Sequence, residues 1–258
     1  MADRRNPRIG VLSALKAEQQ MLLQELLAAR PLQLHGQRAY HRGRLWGFDA
    51  VLVLSGVGKV AAATSATSLI AEFGCEALLF TGTAGGLGEG VNIGDIVVAE
   101  QCLQHDLDAS PLFPRFEVPL TGRSHFATDA AWSQRLATAS QQALDGMLGD
   151  LAGHSRLRSL GIDSPRLHRG LLLSGDRFIS GPSQAAELRA LLPGAVAVDM
   201  ESAAVAQVCA DYRVPFAALR CISDRADATA HIDFDRFTNL VARHYSAAVL
   251  RLALRGGV

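Results

Sequence analysis

The chain has 258 residues, 49% of them hydrophobic and 19% charged. At about 100–200 residues per domain this length makes one large domain or two small ones, and the composition excludes intrinsic disorder. Charged residues are scarcer than the roughly 25% usual in soluble domains, so either the core is large or a second subunit covers part of the surface, and a homo-oligomer is expected. Basic and acidic residues balance at 25 each without a basic run. That excludes the electrostatic footprint of a nucleic-acid or anionic-membrane binder and leaves a small molecule as the expected partner.

Cys75, Cys102, Cys209 and Cys221 are far apart and form no CxxC pair, so neither a metal site nor a disulfide framework is indicated, and free thiols in a reducing cytoplasm are the plain reading. No apolar run approaches the roughly 18 residues of a membrane helix. Lys16 and Glu18 interrupt the N-terminal stretch, so no signal peptide is expected.

In chain order, Arg8–Ser13 reads as a short buried strand and Ala17–Ala29 as the helix behind it. Gln37–Trp46 and Asp49–Ser55, separated by Gly47 and Phe48, read as a hairpin, which makes the sheet mixed. Val60–Phe73 has helical spacing, and Ala77–Phe80 is a strand running into a glycine-rich turn at Thr81–Gly90. Asp95–Glu100 is strand-like, and the proline-containing stretch His105–Phe126 is a long loop of the kind that is functional or interfacial. Asp129–Leu144 is helical, Leu167–Ser174 a strand and Ser183–Leu192 a helix. Ala195–Val198 is a brief strand, Glu201–Asp211 a helix, Pro215–Ile222 a buried strand and Phe234–Leu254 the terminal helix. Apolar runs alternating with helical periods predict an α/β fold, a central twisted mixed sheet flanked by helices. No repeat or linker marks a boundary, so residues 1–258 are expected to form a single domain.

Five places could carry chemistry. Gly56–Ala61 (GVGKVA) satisfies the glycine fingerprint of a dinucleotide site, but the acid expected at the end of the next strand is missing, since Ala77–Phe80 is followed by Thr81-Gly82-Thr83. A tight strand-to-helix turn is the simpler reading. Thr81–Gly90 (TGTAGGLGEG) would let backbone N–H groups and Thr83 approach a ligand, or is a flexible turn. In Ala197–Ala206 (AVDMESAAVA), Met200 fits a core position and Glu201 a helix-capping one. In Arg220–Asp227 (RCISDRAD), Arg220 interrupts a buried strand and Asp224 follows at its carboxyl end, where α/β sheets place ligands; a structural ion pair would explain both. Glu18, just past the first strand, could equally be a solvated helix residue. Together these place carboxylates and an arginine after several strands, the pattern of a sugar or nucleoside site with acid–base chemistry.

The set IGVLSALKAE (Ile9–Glu18), SGVGKVAAA (Ser55–Ala63), FTGTAGGL with GDIVVAE (Phe80–Glu100), SGDRFISG (Ser174–Gly181), AVDMESAAVAQVC (Ala197–Cys209) and RCISDRAD resembles the nucleoside phosphorylase/nucleosidase family, most closely its 5′-methylthioadenosine/S-adenosylhomocysteine nucleosidases. The resemblance implies a cytoplasmic homodimer that hydrolyses the N-ribosidic bond without metal or organic cofactor. It implies Asp224 as the acid protonating N7 of departing adenine, with Ser223 holding that carboxyl, and Glu18 as the base directing water. By the same resemblance Glu201 grips the ribose hydroxyls, Met200 packs under the sugar, Phe178 stacks on adenine, the Ile179 backbone reads its edge, and Arg220 with Thr83 completes the water site. The loop from His105 would cover the 5′ substituent, partly from the neighbouring subunit. Phosphorylases of the family carry an arginine where this chain has Phe80 and another in the first loop, where it has only Lys16. Phosphate would lack its bidentate donors, so hydrolysis is expected; a phosphorylase and a non-catalytic nucleoside binder are the alternatives.

Overall fold

The computed structural model describes residues 6–30, 32–146, 164–226 and 243–255, with residues 155, 158, 162, 237 and 241 in addition. Its elements run β1 (Ile9–Ser13), α1 (Lys16–Glu25), β2 (Gln33–His35), β3 (Arg38–Leu45), β4 (Phe48–Leu54), α2 (Lys59–Ala71), β5 (Ala77–Gly86), β6 (Ile96–Gln104), β7 (His125–Ala127) and α3 (Ala130–Leu144). They continue through β8 (Leu167–Ser174), α4 (Pro182–Leu191), β9 (Ala195–Asp199), α5 (Ser202–Tyr212), β10 (Phe216–Asp224) and α6 (Arg243–Arg255).

β1 is buried along its whole length because it lies between two parallel neighbours, β4 and β5; such a strand has no solvent face and reads as a continuous apolar run. β3 and β4 form the expected hairpin, with its two-residue turn one position earlier than expected, at Trp46 and Gly47. Both have positive φ, 48° and 97°, as a turn that follows the twist of its strands requires.

The strands are ordered β10-β6-β8-β9-β5-β1-β4-β3-β2, β7 pairs with β6, and β10 also pairs with β5. Strands β5, β10, β6, β8 and β9 therefore close into a ring, and β1, β4, β3 and β2 extend from it as an open sheet. Pairings of both senses occur, parallel at β5–β10 and antiparallel at β6–β10. One apolar layer packs the sheet against α1, α3 and α6 through Leu22, Leu136, Tyr245 and Val249. The other packs it against α2 and α5 through Ala66, Leu69, Ala203 and Val205.

Several expectations change: α1 ends at Glu25, four residues before Ala29, and β6 runs four residues past Glu100, to Gln104. Thr81–Gly86 belongs to β5 rather than to a turn, since glycine here serves close approach within a strand. β10 runs two residues further, to Asp224. The stretch expected as loop to Phe126 ends in β7, and β2, exposed throughout, carries no apolar signal that would announce it. Of the expected helix Phe234–Leu254, the portion before Arg243 lies outside the described residues apart from Phe237 and Val241.

Candidate active site

The carboxyl ends of β1, β5, β9 and β10 converge on a cavity walled by Ala14 and Leu15, Glu18, Val57, residues 82–85, Arg177–Ile179, Val198–Glu201, Arg220, Ser223 and Asp224. All nine residues singled out from the sequence line it: Glu18, Thr83, Phe178, Ile179, Met200, Glu201, Arg220, Ser223 and Asp224. Lys16 does not.

Glu18 is fully buried in the first turn of α1. Its Oε2 accepts from the N–H groups of Ala14 (3.1 Å) and Leu15 (2.9 Å), its Oε1 from Thr83 N–H (3.1 Å) and Oγ1 (3.3 Å). Burial raises its pKa, while those backbone bonds and the charge of Arg220 oppose the rise. The carboxylate lies against β5 because position 82 is glycine; a Cβ there would stand 3.1 Å from Oε1.

Arg220 is 1% exposed. Its Nε donates to Asp199 Oδ2 (2.8 Å), Nη2 to Ser202 Oγ (2.8 Å) and Nη1 to the Leu219 carbonyl (3.1 Å), and its guanidinium lies 4.1 Å from the centre of the Phe80 ring. The ion-pair explanation of Arg220 therefore holds alongside its place in the cavity wall. Asp199 also accepts from Ser174 Oγ (2.5 Å), Ser202 Oγ (2.5 Å) and the N–H groups of Glu201 and Ser202, both 3.1 Å. It serves the amino end of α5 and leaves Glu201, the helix's N-cap, without a capping bond of its own.

Glu201 instead reaches across the cavity, where Oε1 accepts from Gly58 N–H at 2.9 Å. Burial, with the nearby charge of Asp199, pushes its pKa up to about 7. The glycine fingerprint is thus a tight turn whose donors are taken by the protein's own carboxylates: Glu201 holds Gly58 N–H, and Asp176 Oδ1 holds Lys59 N–H at 2.7 Å. Asp199, Gly58, Asp176 and Lys59 were not among the expected site residues; Gly58 and Lys59 lay in the glycine fingerprint and Asp199 beside Met200, but the bonds from Glu201 and Asp176 to the start of α2 and from Arg220 to Asp199 join segments far apart in sequence and could not be read locally.

Asp224 closes the far end. Its Oδ2 accepts from Ser223 Oγ (2.8 Å) and its Oδ1 from Ala226 N–H (2.9 Å). Neighbouring residues of a regular strand face opposite ways, yet Ser223 and Asp224 both line the cavity. The β5–β10 register slips between Ile222 and Asp224, a bulge that re-aims the side chain.

A profile of the Phosphorylase superfamily matches residues 8–254. A 5′-methylthioadenosine/S-adenosylhomocysteine nucleosidase of Haemophilus influenzae is 32% identical over 246 residues, 95% of this chain and 98% of that one. The crystal structure of the nucleosidase of that name from Neisseria meningitidis, in complex with methylthio-immucillin-A, superposes with a TM-score of 0.83 at 30% identity, covering 98% of this chain and 100% of the other. The futalosine hydrolase of Helicobacter pylori superposes with a TM-score of 0.82 at 28% identity, over 97% of this chain and 98% of its own. A shared architecture does not by itself choose a substrate, but the extent of these matches fixes the ancestry: this chain belongs to the phosphorylase superfamily, in its 5′-methylthioadenosine/S-adenosylhomocysteine nucleosidase branch.

Proposed function

We propose that the protein hydrolyses the N-ribosidic bond of 5′-methylthioadenosine and S-adenosylhomocysteine, releasing adenine and the thioribose product. The bond from C1′ to the base breaks through an oxocarbenium-like state, its electron pair leaving with adenine as Asp224 supplies a proton to N7. Water adds to C1′ from the other side and passes its proton to Glu18. The two carboxyls suit this division because they enter the cavity from different elements, Glu18 from α1 and Asp224 from the end of β10, with different donors, and dissimilar environments let two acids hold different protonation states. Burial makes Glu18 the more willing proton acceptor. Glu201 holds the ribose hydroxyls, Met200 lies under the sugar, and Phe178 and the Ile179 backbone receive the base. Arg220 acts on the water site through its charge on Glu18, three of its N–H groups already being engaged elsewhere.

The observation that carries hydrolysis over phosphorolysis is where the anion-binding donors go. The N–H groups of Ala14, Leu15 and Thr83 converge on the Glu18 carboxylate, so the position an external phosphate would take already holds a negative charge. Phe80 is buried beneath Arg220 and offers no donor. Unpaired buried charge is costly, whereas neutral water meets no such penalty.

The reading extends to one domain acting as a cytoplasmic homodimer. The low charge fraction and the exposed apolar side chains of Val57 and Val60 at the start of α2 support the dimer. Among the described residues no helix is long and apolar enough to cross a membrane.

The test is to incubate purified protein with 5′-methylthioadenosine, S-adenosylhomocysteine and futalosine, with and without phosphate, and follow free base. Adenine release independent of phosphate, with a free reducing sugar, is expected. A ribose 1-phosphate product would establish phosphorolysis, and preferential turnover of futalosine would overturn the substrate assignment while leaving the hydrolase chemistry standing.

A further inference from the structure

A second ionic cluster stands beside the cavity. Lys59 is the first residue of α2, a helix whose N-cap is Gly58 and which has no side-chain cap of its own. Carboxylates from elsewhere take its first donors, Glu201 at Gly58 N–H and Asp176 at Lys59 N–H. The Lys59 side chain then turns to Asp106, Nζ to Oδ1 at 2.6 Å, and passes Asp176 Oδ2 at 3.8 Å. Asp106 Oδ2 completes the circuit by accepting from Asp176 N–H at 2.8 Å.

Three segments are tied together in this way: the start of α2, the chain just past β6, and the loop after β8. That last loop carries Phe178 and Ile179 directly behind Asp176. The Lys59 side chain is 17% exposed and Asp106 30%, so this pair is less screened than at an open surface, whereas Asp176, 49% exposed, is held more weakly. Burial would raise the Asp106 pKa, but the bond from Lys59, the Asp176 N–H bond and the Lys59 charge outweigh it and hold that carboxyl below its ordinary value. The fit is also tight, since a Cβ on Gly58 would stand 3.1 Å from Asp176 Oδ1.

We propose that Lys59 is a positioning residue for nucleoside binding: by gathering Asp106 and Asp176 onto the start of α2 it sets the spacing between the loop that receives the base and the turn that holds Glu201 against the sugar. The inference rests on the nucleosidase reading above. Without the ammonium, Asp106 and Asp176 keep only their backbone N–H donors and lose the charge that draws them together, the loop samples wider positions, and substrate must reorder it on binding. Glu18 and Asp224 sit on α1 and β10, which the cluster does not touch, so the chemical step at saturation is spared.

Lys59→Met, which keeps the stem and removes the charge, should raise KM for 5′-methylthioadenosine about tenfold with kcat within roughly threefold of wild type, the pattern of a lost binding contribution. Lys59→Arg, able to bridge both carboxylates, should restore KM to within roughly threefold. Asp106→Asn should raise KM by a smaller factor, and the double variant should fall short of the product of the two effects, because both act on one contact. Should Lys59→Met fail to fold, Asp106→Asn and Lys59→Arg carry the same comparison. A folded Lys59→Met enzyme with unchanged KM, or with kcat reduced at unchanged KM, overturns the inference alone. A wild-type protein that releases no adenine overturns the functional reading and this inference with it.

Discussion

Glu201 and Asp199 flank Met200 and live in opposite circumstances. Asp199 collects donors from Ser174, Ser202, two backbone N–H groups and Arg220, whereas Glu201 is buried with a single N–H donor and feels the Asp199 charge. Its native pKa of about 7 lies above the ordinary 4.5, so between those values the folded protein holds a proton that the unfolded chain releases. The stabilisation from this group is complete below about pH 4.5 and is lost as pH rises through 7. Glu201→Gln still accepts from Gly58 N–H but never ionises. The ligand-free variant should therefore melt higher than wild type at pH 8, by up to about 3 kcal/mol from the size of the shift, and show no such gain at pH 5. An equal difference at both pH values would remove the charge from the explanation. At Asp224 the expectation concerns rate: Asp224→Asn keeps the shape and cannot donate, so adenine release should fall by about 10²–10⁴-fold or more with the melting curve intact. Near-normal turnover would take Asp224 out of the mechanism. Arg220 and Asp224 were legible in the sequence because they place charge within and at the end of an apolar strand, whereas Glu18 and Glu201 read alone as helix-start residues and gained their roles from the resemblance of their segments to the family. The role of Asp199 was not, since its meaning lies in partners brought together from β8, α5 and β10.

At the scale of elements, the decisive device is the β5–β10 pair. β5 carries its glycines where side chains of other elements press against it. Asp224 reaches the cavity through the bulge that follows Ile222. A Cβ on Gly85 would stand 2.9 Å from Asp224 Oδ1 and 3.3 Å from Ala226 Cβ, so Gly85→Ala must push the acid from its place. Its kcat should drop at least tenfold, about 1.4 kcal/mol of barrier, with little change in KM. The effect should vanish in an Asp224→Asn background, where the displaced group no longer contributes. Full additivity of the two changes would show that Gly85 acts through something else. The sequence made most elements readable within a residue or two, from the buried run of β1 to the helical spacing of α3. It hid β5 beyond Phe80, because glycine suggests a turn to anyone reading locally, and it hid the bulge, which exists only relative to a partner strand.

At the scale of the molecule, an α/β fold with a mixed sheet followed from the alternation of runs and periods, but the closure of β5, β10, β6, β8 and β9 into a ring did not, since pairing between distant strands leaves no local trace. What composition did suggest is a surface completed by a second subunit, and the structure offers apolar side chains to cover: Val60 is 79% exposed and Val57 55% exposed, three residues apart at the start of α2. Leu112, in the stretch between β6 and β7, is 84% exposed. A homodimer burying this helix start would place the interface beside the substrate cavity, of which Val57 is part of the wall. Sedimentation at micromolar concentration should find a dimer. Val60→Asp would then bring an unpaired charge into the contact and raise the dissociation constant at least tenfold, about 1.4 kcal/mol. Because an exposed surface change ordinarily alters monomer stability by no more than about 0.5 kcal/mol, the variant should still fold, and substrate affinity should weaken as dimer is lost on dilution. A monomeric wild type, or a Val60→Asp protein as dimeric as wild type, would place the interface elsewhere or remove it.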